Sequence, residues 1–331
     1  MPLTDLPLEQ LRDHLGDVAE PADFDTFWAG SLADARRHRL DLVLREGPGP
    51  ELSEVEVADV RFSGWGGDRI AGWFLRPRRA QGPLPVVVKF IGYSGTRGRP
   101  VEHTEWAAAG YAVLVVDTRG QGSDTPDPDT SAVAGQWANG FMTKGVHDPA
   151  TYYYRRALVD CARAVEAAAA LPGVDPARLV VAGGSQGGAF ALAAAHLAGE
   201  AVAAALVDVP FLCSVRRACD TAGDGPYLEV VTFLRRHSRE AVEQTFRTLS
   251  YVDGANHALR ASAPALFSVG AMDPVCPPST VFAAYNRYGA RAGRPVRKDI
   301  TVWEFSDHSG GAAHQFERQL RFLDELWRQQ P

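Results

Sequence analysis

The sequence predicts an α/β fold, a mostly parallel twisted sheet flanked by helices. Three observations predict it. Short apolar runs recur along the chain, several of them too continuous for strands with one wet face. Stretches of helical composition lie between them. A glycine-rich turn, Val181-Ala-Gly-Gly-Ser-Gln-Gly-Gly-Ala-Phe190, joins one such run directly to one such helix.

Taken in order, residues 1–45 read as a helical lead. Phe24, Phe27, Trp28, Leu32 and Ala35 recur at helical spacing, and Arg36-Arg-His-Arg39 follows near the end. Gly47-Pro-Gly-Pro50 breaks the pattern. VEVADVRF (55–62) and RIAGWFLRP (69–77) predict two strands joined by the turn GWGGD, an antiparallel edge to the sheet. LPVVVKFIG (84–92) and YAVLVVDTRG (111–120) predict buried strands. Segments 178–184, 201–210, 264–270 and 299–305 complete the strand series. Helices are expected at 155–172, 185–199 and 314–327, and about 211–260 reads as a helical insertion before the strand at 264–270. With no internal repeat, low-complexity tract or long linker, a single domain over 1–331 is expected.

Composition narrows the function classes. The chain has 331 residues, of which 46% are hydrophobic, enough to bury a sizeable core. A net charge of −6 argues against a general nucleic-acid-binding surface. The four cysteines are scattered and form no C-x-x-C pair, so packed, reduced thiols are expected rather than a disulfide framework or a zinc site. The N-terminus lacks a basic stretch followed by an apolar run, and no stretch of about 18 apolar residues occurs. The expectation is a cytoplasmic protein that binds no membrane and needs no metal or organic cofactor.

Gly183-x-Ser185-x-Gly187 lies between a buried strand and a helix. It fits the nucleophile elbow of α/β-hydrolases, where a strained strand-to-helix turn lifts a serine hydroxyl above the sheet edge at a helix N-terminus. A phosphate-binding loop would need a lysine after the glycines, and a dinucleotide turn would need a leading G-x-G; neither is present. The plain alternative is a packing turn with an incidental serine.

A serine hydroxyl needs a base, and the base needs an orienting acid. In this fold the chain order is serine, acid, histidine. Asp273 directly follows the strand PALFSVG, and His308 lies in the loop between DITVWEF and the last helix. His314 and His257 are alternative bases, and Asp307 and Asp253 weaker acids, all at positions that break the expected order. Two oxyanion donors are expected: the backbone N–H of Gln186, after the serine, and that of Tyr93, in the loop after 84–92.

With these residues in place the chain resembles the acetyl xylan esterase and cephalosporin-C deacetylase family, carbohydrate esterase family 7, from about residue 20 to the end. The resemblance is carried by EPADFDTFWAGSLADAR (20–36), GYSGTRG (92–98), DTRGQGSD (117–124), NGFMTKGVHDPATYYYRRALVDCARAV (139–165), GGSQGG (183–188), DVPFLC (208–213) and DPVCPPST (273–280). It implies Ser185, Asp273 and His308 as a triad, with Tyr93 and Gln186 as oxyanion donors. It implies a loop-bracing role for Arg119 of the motif Arg119-Gly-Gln121. Two positions depart from the family pattern. Ser309 stands where a glutamate usually follows the histidine, which leaves the support of the His308 loop in question. Ile91 stands in place of a histidine, and a changed pocket mouth is expected.

The resemblance implies a serine esterase that removes acetyl groups from small acetylated sugars, xylo-oligosaccharides or cephalosporin-C-like esters. It also implies a homo-oligomer, a hexamer with the sites facing an inner cavity. The alternatives are an acyl hydrolase of the same fold acting on another ester or thioester, and a catalytically silent binding protein.

Overall fold

The computed structural model describes residues 5–48, 52–128 and 140–329. Gly49 and Pro50 of the expected break, Asn139 of the family motif and the chain ends lie outside them. Nine strands form one sheet in the order β1-β2-β3-β5-β4-β6-β7-β8-β9. They are β1 (Val43–Glu46), β2 (Val55–Ser63), β3 (Arg69–Pro77), β4 (Leu84–Phe90), β5 (Ala112–Val116), β6 (Val174–Gly184), β7 (Ala204–Asp208), β8 (Ala265–Gly270) and β9 (Lys298–Trp303). From β5 to β9 every pairing is parallel, whereas β1, β2 and β3 are antiparallel to their neighbours, and β3 is antiparallel to β5.

The continuous apolar runs follow from burial on both faces. Successive strand residues point to opposite sides of a sheet. Val86, Val88 and Phe90 of β4 enter one core, while Val87 enters the other. Likewise Ala112, Leu114 and Val116 of β5 face away from Val113 and Val115. The larger core lies under α2 (Phe24–Arg36), α4 (Tyr153–Ala169), α5 (Gln186–Leu197), α7 (Tyr227–Arg236) and α10 (Pro278–Arg287). The smaller one lies under α3 (Glu105–Ala108) and α11 (Ala312–Gln329) through Trp106, Phe322, Leu323 and Leu326. Residues 211–260 hold α6 (Val215–Thr221), α7, α8 (Val242–Ser250) and α9 (Gly254–Ala258).

The N-terminal lead is not helical throughout. Helix occupies α1 (Leu8–Leu11) and α2, and Val43–Glu46 is an edge strand with Val43 opposite Arg61. Leu40, Leu42 and Leu44 alternate with Asp41 and Val43, a period of two that suits a strand. The antiparallel edge therefore has three strands rather than two.

Candidate active site

The strand order places the site. The chain runs β4 to β5 in one direction across the sheet, then returns so that β6 lies on the other side of β4. Crevices at such reversals, beyond the carboxyl ends of the strands, are where ligands bind in open α/β sheets. Here the loop after β4 carries Tyr93 and the turn after β6 carries Ser185. The segments after β8 and β9 carry Asp273 and His308 at the same end of the sheet.

Ser185 has φ 56° and ψ −121°, a conformation costly for any residue but glycine. The surroundings hold it: its N–H donates to the Asp208 carbonyl at 3.0 Å, and its own carbonyl accepts the Phe211 and Ala189 N–H groups at 3.0 and 3.1 Å. The flanking glycines are required for space. A Cβ on Gly183 would run into the Gly187 backbone, and one on Gly187 into the Phe90 carbonyl. Gln186 opens α5, so its N–H has no carbonyl one turn back to bond.

His308 Nδ1 lies 2.7 Å from Asp273 Oδ2. Asp273 is buried, and its other oxygen accepts the N–H groups of Val275 and Cys276 at 2.8 and 3.0 Å. The loops of the pair are tied together, with the Met272 N–H on the Ser306 carbonyl and the Ala271 N–H on the Trp303 carbonyl, each at 3.0 Å. A cavity of about 540 Å³ is lined by Gly92, Tyr93, Ser185, Gly225, Pro226, Glu229, Val275 and His308. The Ser185 hydroxyl and the His308 imidazole at one cavity, with the Asp273 carboxylate behind the imidazole, form a set that can carry acyl transfer.

The other candidates lie elsewhere. His257 is buried with its Nδ1 2.9 Å from that of His196. His314, in the first turn of α11, lies tilted against Trp303 with ring centroids 6.1 Å apart. Asp253 caps α9, accepting from Ala255, Ser214 and Val215, and burial pushes it up to about 6. Asp307 is exposed and accepts the Ser309 N–H.

The family model described as acetyl xylan esterase (AXE1) matches residues 1–326. The chain belongs to the acetyl xylan esterase family. It is similar to the acetyl xylan esterase from Paenibacillus sp. R4, at 39% identity and TM-score 0.89 over 97% of this chain and 99% of that one. Acetyl xylan esterase 1 from Thermoanaerobacterium sp. JW/SL YS485 gives 33% identity and TM-score 0.88 over 98% of this chain and 99% of the other. Acetyl esterase Axe7A of Xylanibacter ruminicola is 29% identical over 277 residues, 80% of this chain. The chain spans 60% of that relative's length. Both solved relatives are covered nearly whole, and the sheet and its flanking helices are the α/β-hydrolase fold.

Against the family pattern, Ile91 does not line the cavity. Its side chain packs with the smaller core and its carbonyl accepts from Gln186 Nε2 at 3.3 Å. Ser309 bonds the Ser306 hydroxyl at 3.0 Å, inside the loop that holds His308. Arg119 is buried on Asp160, Asp68 and Asp127.

Glu229, on α7, went unnoticed in the sequence. It lines the cavity, accepts from the Tyr93 hydroxyl at 2.7 and 2.9 Å, and takes the Met142 N–H at 3.2 Å. Burial pushes its carboxyl up; burial and the neighbouring carboxylate push the Tyr93 phenol up. The Tyr93 hydroxyl is thus pinned to the insertion through Glu229. Read as plain helix, the insertion carried no signal that one of its acids would reach the site.

Asp273, Cys276 and His308 have donor atoms within 4.8 Å of one another, among the described residues the group placed to hold a metal ion. The chemistry fits poorly. Burial pushes the Cys276 thiol well above its usual range, which disfavours the thiolate, and the two other donors are bonded to each other. No helix among the described residues is long and apolar enough to cross a membrane.

Proposed function

We propose that the chain is a serine ester hydrolase that removes acetyl groups from small acetylated sugars and xylo-oligosaccharides through an acyl-enzyme. The observation that carries this reading is the 2.7 Å bond between His308 and Asp273 at a cavity that Ser185 also lines. Asp273 holds the imidazole with Nδ1 protonated, leaving Nε2 to accept the Ser185 proton as Oγ attacks the ester carbonyl. The N–H groups of Tyr93 and Gln186 stabilise the oxyanion. His308 then gives its proton to the departing alcohol, and water hydrolyses the acetyl-enzyme by the same route.

The Glu229 carboxylate at the cavity wall supports a hydroxyl-rich alcohol, whose O–H groups can donate to it. An anionic alcohol such as that of cephalosporin C meets like charge there and is the poorer substrate in this reading.

The test is hydrolysis of p-nitrophenyl acetate, butyrate and octanoate by wild type and Ser185→Ala. Activity should fall steeply with chain length, and the variant should lose about 10⁴-fold or more. Octanoate cleaved as fast as acetate would replace the deacetylase with a broader acyl hydrolase. No hydrolysis of any ester by folded wild type would leave a silent member of the family.

A further inference from the structure

Arg119 of the R-G-Q motif has the expected bracing contacts, and the motif's glutamine bonds Gln186 and the residue after Tyr93. The Gln121 and Gln186 carboxamides face each other in a reciprocal pair. Gln121 Nε2 donates to Gln186 Oε1 at 2.8 Å, and Gln186 Nε2 donates to Gln121 Oε1 at 3.0 Å. The remaining capacity of each amide is also used. Gln121 Oε1 accepts the Ser94 N–H at 2.8 Å, and Gln121 Nε2 reaches the Tyr153 hydroxyl at 3.0 Å. Gln186 Nε2 reaches the Ile91 carbonyl at 3.3 Å, and Gln186 Oε1 accepts from the Tyr154 hydroxyl at 2.9 Å. Each amide therefore makes all four of its bonds, the condition under which a polar network is rigid rather than adaptable.

The pair grips the loop after β4 on both sides of Tyr93, at Ile91 and at Ser94. Ser94 has φ 57°, a left-handed backbone that a serine keeps only where its neighbours impose it. The bond from its N–H to Gln121 is such a constraint. The other end of the pair belongs to the residue whose own N–H is the second donor. Gln121 is anchored in turn, because the Tyr153 hydroxyl it meets donates to the Arg119 carbonyl at 2.6 Å.

We infer that Gln121 is a positioning residue for the oxyanion pocket: through the Gln121–Gln186 amide pair it fixes the Tyr93 and Gln186 N–H groups relative to each other. It touches no substrate. Its contribution therefore belongs to the transition state, where the oxyanion forms, and not to ground-state binding. The inference rests on the acyl-transfer reading above.

The test takes Gln121→Met and Gln186→Met, which keep side-chain length and remove the amide bonds, together with the double variant. Each single variant should lower kcat for p-nitrophenyl acetate about 10- to 100-fold with KM within about threefold. Affinity for methylboronic acid should fall in parallel, because its tetrahedral adduct on the serine points an oxygen at the two donors. The pH profile of kcat/KM should keep the wild-type shape, since His308 and Asp273 are untouched. The double variant should be no slower than the slower single one, as expected of one unit. Each of three results overturns the inference: folded Gln121→Met within twofold of wild type in kcat, losses that multiply in the double variant, or boronate affinity unchanged. Should Gln121→Met fail to fold, Gln186→Met gives the same kcat and boronate readings. Wild type inactive on every ester would sink the parent reading as well, whereas active variants would sink this one alone.

Discussion

Asp273 divides its two oxygens between separate tasks. One takes His308 Nδ1, and the other takes the Val275 and Cys276 N–H groups. Asp273→Asn can keep its oxygen on the two backbone donors, which turns its NH₂ toward His308. The imidazole must then accept at Nδ1 and carry its proton on Nε2, where it cannot take one from serine. The expected outcome is a kcat for ester hydrolysis lowered about 10³- to 10⁴-fold in a protein that still folds. Steady-state rates beside a thermal melt check it, and an unchanged kcat would remove Asp273 from the mechanism. Ser185, Asp273 and His308 could be singled out in the sequence as candidates because each follows a recognisable strand, in the order serine, acid, histidine. Glu229 and the Gln121 clamp could not. They are contacts across 136 and 65 residues of chain, and a side chain's partner at that separation leaves no local pattern.

At the scale of elements, α2 shows what spacing can and cannot reveal. Phe24, Trp28, Leu32 and Ala35 do face the core as their helical period requires. What α2 packs against was hidden. Phe24 and Trp28 meet the ring of His257 at 5.2 and 5.1 Å, and Trp28 Nε1 donates to the Tyr251 carbonyl at 3.0 Å. Beneath them the half-buried His196 and the buried His257 form a neutral pair that joins α5 to α9. Burial pushes His196 down to about 4 and His257 well below its ordinary value. A histidine depressed in the folded state contributes stability above its unfolded pKa and loses it as pH falls, because the unfolded chain binds the proton first. For His196 the window runs from the ordinary 6.5 to about 4. Asp208 and Asp253, pushed up to about 6 by burial, work in the opposite sense. The comparison of wild type with His196→Asn cancels them. Between pH 6 and 4.5 the unfolding free energy of wild type should fall more steeply than that of the variant, by about 1.4 kcal/mol per pH unit. Urea titrations across that range measure it, and parallel slopes would show that His196 is protonated in the folded protein.

Across the whole molecule, strand existence was plain in the sequence, whereas strand order was not. Nothing local says that β6 returns beside β4, or that β1 adds a third antiparallel strand at the edge. One side chain links these parts. Arg119, fully buried, bonds Asp160 of α4 through Nε and Nη2 at 2.5 and 2.9 Å. It also pairs with Asp68, in the turn between β2 and β3, at 2.9 Å, and with Asp127 at 3.2 Å. Asp127 is shared with Arg156 and Lys144; burial pushes it up, but these cations and Arg119 hold it down to about 2. The antiparallel edge, the loop after β5 and the helix over the sheet thus meet on one guanidinium. Burial pushes the Asp160 carboxyl up, with Arg119 as the main opposing charge. Taking away one partner of such a cluster costs more than never having built it, because the other charge stays buried without compensation. Arg119→Met should therefore destabilise the fold by about 3–5 kcal/mol, read as a lower urea midpoint. Adding Asp160→Asn removes the stranded charge while keeping a hydrogen-bonding side chain for the Trp65 N–H, which Asp160 Oδ1 accepts at 2.8 Å. The double variant should recover part of the loss, a coupling of about 0.5–3 kcal/mol. Losses that simply add would mean that the parts are joined by their apolar packing and that the ion cluster contributes little to holding them together.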